Sequence, residues 1–200
     1  MKPISIFADF YGIDNIKGDI SIDRLTTEIE HYIEKYDLNG RSRSNKNGYQ
    51  SNDLDYSIIK KQFKEISLLL DTIEKKCKDF LKNDNIGLSN SWVNINNKNN
   101  YNKPHCHPYS ILSGTVYINV PSDKDKDNGN FTFIRNREFL DYAIETYTHE
   151  FEPLYSGHNK TIHPKTGDII IFPSYMMHEV DPHQSKEQRI SIAFNTRAIF

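Results

Sequence analysis

Two stretches in the N-terminal half repeat apolar residues at helical spacing. Residues 21–36 place Ile22, Leu25, Ile29, Tyr32, Ile33 and Tyr36 on one face of a 3.6-residue period. Ser21 stands at the N-cap position and Gly40 lies beyond the end. From about residue 54 to residue 81 the spacing recurs through Ile58, Ile59, Phe63, Ile66, Leu69, Leu70, Ile73, Cys77 and Phe80, which predicts one longer helix. Both helices read as supports packed on a sheet. Past Ile86 the pattern shortens. Residues 88–95, 112–120, 131–134, 168–172 and 189–195 are rich in Val, Ile, Thr, Tyr and Phe and are bounded by Gly, Pro, Asn and Asp, which predicts strands. Residues 3–11 add a candidate edge strand.

Three segments lack such periods. Residues 39–52 are polar and rich in Gly, Ser and Asn, the composition of a mobile loop and a place for substrate contacts. Residues 122–129 alternate Asp and Lys before a Gly and read as a solvated turn. They lack the twelfth-position Glu of a calcium loop. Residues 135–165 show no decodable pattern.

Helices followed by strands predict an α+β fold, with helical support over about 20–82 and a β-sandwich or barrel over about 86–198. A chain of 200 residues suits a single domain, 1–200. The net charge of −2 leaves no nucleic-acid footprint. No apolar run reaches the length of a membrane span or a signal peptide. Cys77 and Cys106 are the only cysteines, too few for a disulfide scaffold, so a reducing, cytoplasmic setting is expected.

Within the strand-rich half, Lys103-Pro104-His105-Cys106-His107-Pro108 sets two imidazoles one residue apart, and His178 follows the turn after an apolar strand. Residues i and i+2 of a strand share a face, so His105 and His107 can aim at one point, with His178 arriving from a strand opposite. Cys106 then points away. Arg189 and Ser191 are again i and i+2. An inward guanidinium in an apolar barrel needs an anion, and its fork suits a carboxylate. Arg189 and Ser191 therefore read as a dicarboxylate anchor, against the alternative that Arg189 pairs with Glu179 or Glu187. Tyr117 is a candidate hydrogen-bond donor or a plain core residue. Asn94 and Asn96 share a face, and Asn94 is a candidate ligand contact or a ladder-edge residue. His31, His149, His158, His163 and His183 read as bystanders.

The segments NKPHCHPYSILSGTVYINVP (102–121), GDIIIFPSYMMHEV (167–180) and RISIAFN (189–195) resemble the iron(II)/2-oxoglutarate-dependent dioxygenases. More narrowly, they resemble the 2OG-Fe(II) oxygenase family of bacteria and phages related to prolyl 4-hydroxylases. The resemblance spans roughly residues 88–196. It implies a double-stranded β-helix (jelly-roll or cupin-like) core and an Fe(II) centre at His105, His107 and His178. It also implies 2-oxoglutarate and O2 as cosubstrates, with oxidative decarboxylation to succinate and CO2. The expected substrate is a peptidyl proline, an amino acid or another small metabolite. The superfamily's usual second ligand is Asp or Glu, and His107 departs from it. Two other readings stay open here. One is a cupin-like three-His dioxygenase or isomerase that uses no 2-oxoglutarate; the other is a non-catalytic β-sandwich.

Overall fold

An uninterrupted apolar strand needs both of its faces covered, because successive side chains point to opposite sides. In the computed structural model, which describes residues 9–18, 20–121, 129–134 and 159–199, strand 168–173 is covered in that way. Ile169 and Ile171 pack into a core shared with the helices, whereas Ile170 and Phe172 enter a second core. That second core also holds Tyr117, Phe131, Phe133 and Ile162, which belong to two facing sheets.

Among the described residues, eleven strands form those sheets: β1 (Gly12–Asn15), β2 (Asn45–Lys46), β3 (Tyr49–Gln50), β4 (Ile86–Asn96), β5 (Tyr101–His105), β6 (Leu112–Asn119), β7 (Phe131–Phe133), β8 (Lys160–Ile162), β9 (Asp168–Pro173), β10 (His178–Val180) and β11 (Arg189–Ala198). The larger sheet has the order β1-β9-β6-β11-β4-β3, and the smaller has β2-β5-β10-β7-β8. All the pairings are antiparallel. β11 lies between β4 and β6, with Ser191 opposite Asn94 on one side and Tyr117 on the other. Gly114 of β6 lies opposite Phe194. A Cβ there would collide with the Phe194 ring and the Ile170 carbonyl, so only glycine lets β6 approach β9 this closely.

The outer face of the larger sheet carries the helices α1 (Ile22–Tyr36), α2 (Tyr56–Gln62) and α3 (Lys64–Leu81). Leu25, Ile29, Ile66, Leu69 and Ile73 pack there with Val93, Val116, Ile118, Ile192 and Phe194. The second helical stretch is not one helix. Phe63 adopts an extended conformation (φ −128°, ψ 91°) that separates α2 from α3. Its ring still packs edge-on against Tyr32 and Tyr36, so the apolar period passes through the break undisturbed. Asp55 caps α2 through Ser57 N and Ile58 N. α3 has no side-chain cap of its own; Glu28 of α1 accepts from Glu65 N at 2.8 Å and Ile66 N at 3.0 Å. Ser21 does occupy the N-cap position of α1, but its side chain makes no capping hydrogen bond.

Residues 39–52 are not a free loop. β2 pairs with β5 and β3 pairs with β4, so the segment is pinned to both sheets. Asn45, Gln50 and Ser51 are buried. The N-terminal edge strand falls at Gly12–Asn15, after the expected span of 3–11, whose residues 3–8 lie outside the described residues. The acidic turn at 122–128 and residues 135–158, with His149 and His158, also lie outside them. Short strands β5, β8 and β10 were not expected from pattern. No helix among the described residues is long and apolar enough to cross a membrane.

Candidate metal centre

His105 ends β5 and His178 begins β10, and the two are direct partners in the ladder between these strands. The third imidazole, His107, lies two residues past His105, where its backbone N–H donates to Ser174 O at 2.9 Å. That bond ties the β5 exit to the turn that delivers His178. The distant histidine therefore arrives on a neighbouring strand of the same sheet, not from a strand opposite. The ligand atoms of all three rings lie within 4.8 Å of one another.

The hydrogen bonds fix which ring nitrogen is free. His105 Nδ1 lies 2.7 Å from Lys103 O and His178 Nδ1 lies 2.9 Å from Met176 O. A carbonyl only accepts, so both Nδ1 atoms carry hydrogen and both Nε2 atoms present lone pairs. His107 Nε2 is 3.3 Å from His178 Nε2. Two nitrogens about 2.1 Å from one ion sit about 3 Å apart at a right angle, so this spacing suits a shared cation. Phe131 stacks on His178 at 5.0 Å, and Trp92 lies 5.8 Å from His107, which holds both rings in orientation.

Burial keeps the cluster neutral. Loss of water is the main cause for each ring, and proximity of the other imidazoles adds to it for His107 and His178. His107 is lowered to about 4, His178 falls well below the ordinary 6.5, and His105 is also lowered. Neutral imidazole is the form that binds a metal.

Behind the cluster the two sheets enclose a pocket. Asn94, Tyr117, Arg189 and Ser191 line it together with His105, His107 and His178. All seven sequence candidates thus share one chamber. Alternation explains the company: Arg189, Ser191 and Ala193 project from β11, Thr115 and Tyr117 from β6, and Trp92 and Asn94 from β4, each at spacing two. Thr115 was legible by that rule and was missed. Ser44, from the segment thought mobile, carried no signal.

The pocket's electrostatics are one-sided. Arg189 is 2% exposed, and among the described residues no aspartate or glutamate lines the chamber. Neither Glu179 nor Glu187 forms an ion pair with it. Its guanidinium donates to Gly129 O and, at 3.5 Å, to Asn96 Oδ1, and it lies 5.7 Å from the Tyr117 ring centroid. Asn96 was noted for its face but not for this contact. Arg189 Nε, the Tyr117 hydroxyl and Asn94 Oδ1 are buried without a hydrogen-bond partner among the described residues. Tyr117 is raised to about 12 by burial and stays a neutral donor. Buried donors and a buried cation that find no partner or carboxylate among the described residues are costly and fit an anionic guest. Cys106 is exposed and stays outside the metal cluster.

The comparisons agree with this geometry. The family described as "Putative 2OG-Fe(II) oxygenase" matches residues 90–195. Among solved structures, a Pseudomonas putida prolyl-4-hydroxylase superposes with a TM-score of 0.66 at 14% identity, covering 96% of this chain and 94% of that one. HygX from Streptomyces hygroscopicus, solved with nickel and 2-oxoglutarate bound, gives 0.64 at 12%, covering 96% and 84%. The viral collagen prolyl hydroxylase of Paramecium Bursaria Chlorella virus-1, a 2-oxoglutarate complex, gives 0.57 at 18%, covering 94% and 96%. No curated protein matches the sequence. The structural likenesses establish the double-stranded β-helix fold, and the family match covers more than half of the sequence. The chain belongs to the 2OG-Fe(II) oxygenase family, whose members are oxidoreductases that use iron(II) and 2-oxoglutarate.

Proposed function

We propose that the protein hydroxylates a C–H bond of a small molecule or peptide, with a peptidyl proline, an amino acid or another small metabolite as the substrate class. His105, His107 and His178 would hold the iron. With iron(II) held there to activate it, O2 would be the oxidant for C–H hydroxylation and 2-oxoglutarate the co-reductant, leaving as succinate and CO2.

The chain's own groups do the positioning. Arg189 grips the distal carboxylate of 2-oxoglutarate through its fork, and the Ser191 hydroxyl adds a further donor. Tyr117 donates a hydrogen bond from its neutral hydroxyl, and Asn94 binds through its amide. Phe131, Phe172 and Trp92 keep water from the chamber and strengthen each polar contact inside it.

The observation that carries this reading is the buried Arg189, paired with no carboxylate among the described residues, in the same chamber as the three imidazoles. A three-His centre that uses no 2-oxo acid would have no use for that cation. The test is succinate formation by protein loaded anaerobically with iron(II), on addition of 2-oxoglutarate, air and a pool of amino acids and proline peptides. Succinate above a metal-free control supports the reading. Bound metal with no 2-oxoglutarate binding and no succinate removes it.

A further inference from the structure

A second cleft opens on the outer side of the metal centre. It is the roomier space, about 650 Å³ against about 40 Å³ for the inner chamber, and it is sized for a small-molecule ligand. His105 and His107 line both spaces, as does Trp92. A molecule in the outer cleft therefore lies against the centre that would oxidise it.

The cleft's charges are unbalanced. Arg41, Arg43 and Lys103 line it against a single carboxylate, Asp53. Asp53 Oδ1 is already shared by Arg41 at 2.6 Å and Asn90 at 3.1 Å. No carboxylate among the described residues pairs with Arg43 or Lys103. Arg41 Nε is buried without a partner among the described residues, and its guanidinium lies 5.7 Å from the Trp92 ring, which in turn lies against His107.

The backbone that carries these cations is also fixed in place. Arg41 N donates to Gln50 O, Arg43 N to Asn45 Oδ1 and Lys103 N to Ser44 O. Pairing of β2 with β5 brings the Arg43 and Lys103 segments side by side at the rim. A solvated basic face needs neither an orphaned guanidinium nitrogen nor a backbone pinned to both sheets.

Resting on the oxygenase reading above, we infer that the substrate is a small anion. Its carboxylate or phosphate group is held by Arg41, Arg43 and Lys103, and the carbon to be oxidised lies toward His105 and His107. Guanidinium groups suit either oxyanion.

The experiment uses the whole chain loaded with diamagnetic zinc(II) and saturated with 2-oxoglutarate, so that the inner anion site is filled, no turnover occurs and signals beside the metal stay visible. Inorganic phosphate is titrated in while nitrogen–proton NMR follows the Arg41 Nε–H and the amides of residues 41–44, 103 and 105–107. Those signals should shift saturably. In Arg43→Glu/Lys103→Glu, two exposed changes, the phosphate Kd should rise at least tenfold. Absence of shifts in the native protein, or an equal Kd in the variant, overturns the proposal. A hexaglutamate peptide that shifts these signals where phosphate does not would also overturn it, in favour of an acidic polypeptide. The 2-oxoglutarate Kd, measured by calorimetry on the same metal-loaded protein before it is saturated, judges the oxygenase reading separately.

Discussion

His178 sits directly across the strand ladder from His105, and each donates its Nδ1–H to the carbonyl two residues before it. Residues remote in sequence thus present matched lone pairs from adjacent positions of one sheet. Each ring is oriented before any ion arrives. The outer partners are main-chain carbonyls, so side-chain substitution does not remove them.

Removing one imidazole should therefore remove tight metal binding. His178→Ala and His105→Ala are each expected to weaken iron(II) or cobalt(II) affinity by more than about 100-fold, beyond the effect of losing an outer-sphere partner. Metal titration with elemental analysis checks this. Retention of stoichiometric metal in both variants would move the centre elsewhere.

Arg189 should matter for the cosubstrate and not for the metal. Arg189→Ala is expected to cost about 2 kcal/mol or more in 2-oxoglutarate binding, since it removes one side of a buried charged pair. Arg189→Lys keeps the charge but loses the fork and should fall between. Iron affinity should change less than about threefold in both, as it does not depend on this contact. Calorimetry on the two ligands separates the effects.

The histidine cluster sets a pH dependence for the metal-free protein. In the unfolded chain His107 protonates near 6.5, and in the folded protein only at about 4. Between those values the unfolded state binds more protons, so stability rises with pH there and is lost as pH falls toward 4. His105 and His178 are lowered too and act in the same sense. Urea unfolding between about pH 7 and pH 4.5 should show the loss, and His107→Asn should reduce its slope. An unchanged slope would contradict the burial of this ring.

Glu28 should act as the missing cap of α3. Its carboxylate accepts from Glu65 N and Ile66 N in the first turn of that helix. Glu28→Gln is expected to cost about 0.5–2 kcal/mol and to lower Tm by about 2–4 °C per kcal/mol. The 2-oxoglutarate affinity should be unaffected, because Glu28 lies on the helical side of the larger sheet. A thermal melt checks the first point and calorimetry the second.

Some of this was legible in the sequence and some was not, for physical reasons. β4, β6, β9 and β11 were readable because two buried layers demand apolar residues on both faces. The break at Phe63 was not, since its ring continues the apolar face while its backbone leaves the helix. β5 and β10 escaped because Lys103, Pro104, His105 and His178 are poor strand formers; pairing between the segments creates them. The spacing of His105 and His107 and of Arg189 and Ser191 gave the chamber's contents. It could not reveal that His178 lies beside His105 in one sheet, because register is a property of two strands and not of either alone. The pinning of residues 39–52 was hidden for the same reason.

The most direct test of the account is optical. Protein loaded anaerobically with iron(II) is titrated with 2-oxoglutarate while its visible absorption is recorded. We expect a new band that saturates at about one equivalent per iron, as two-point chelation at a single open centre requires, and that needs a much higher concentration in Arg189→Ala. Iron bound at His105, His107 and His178 with a spectrum that 2-oxoglutarate leaves unchanged would contradict the account.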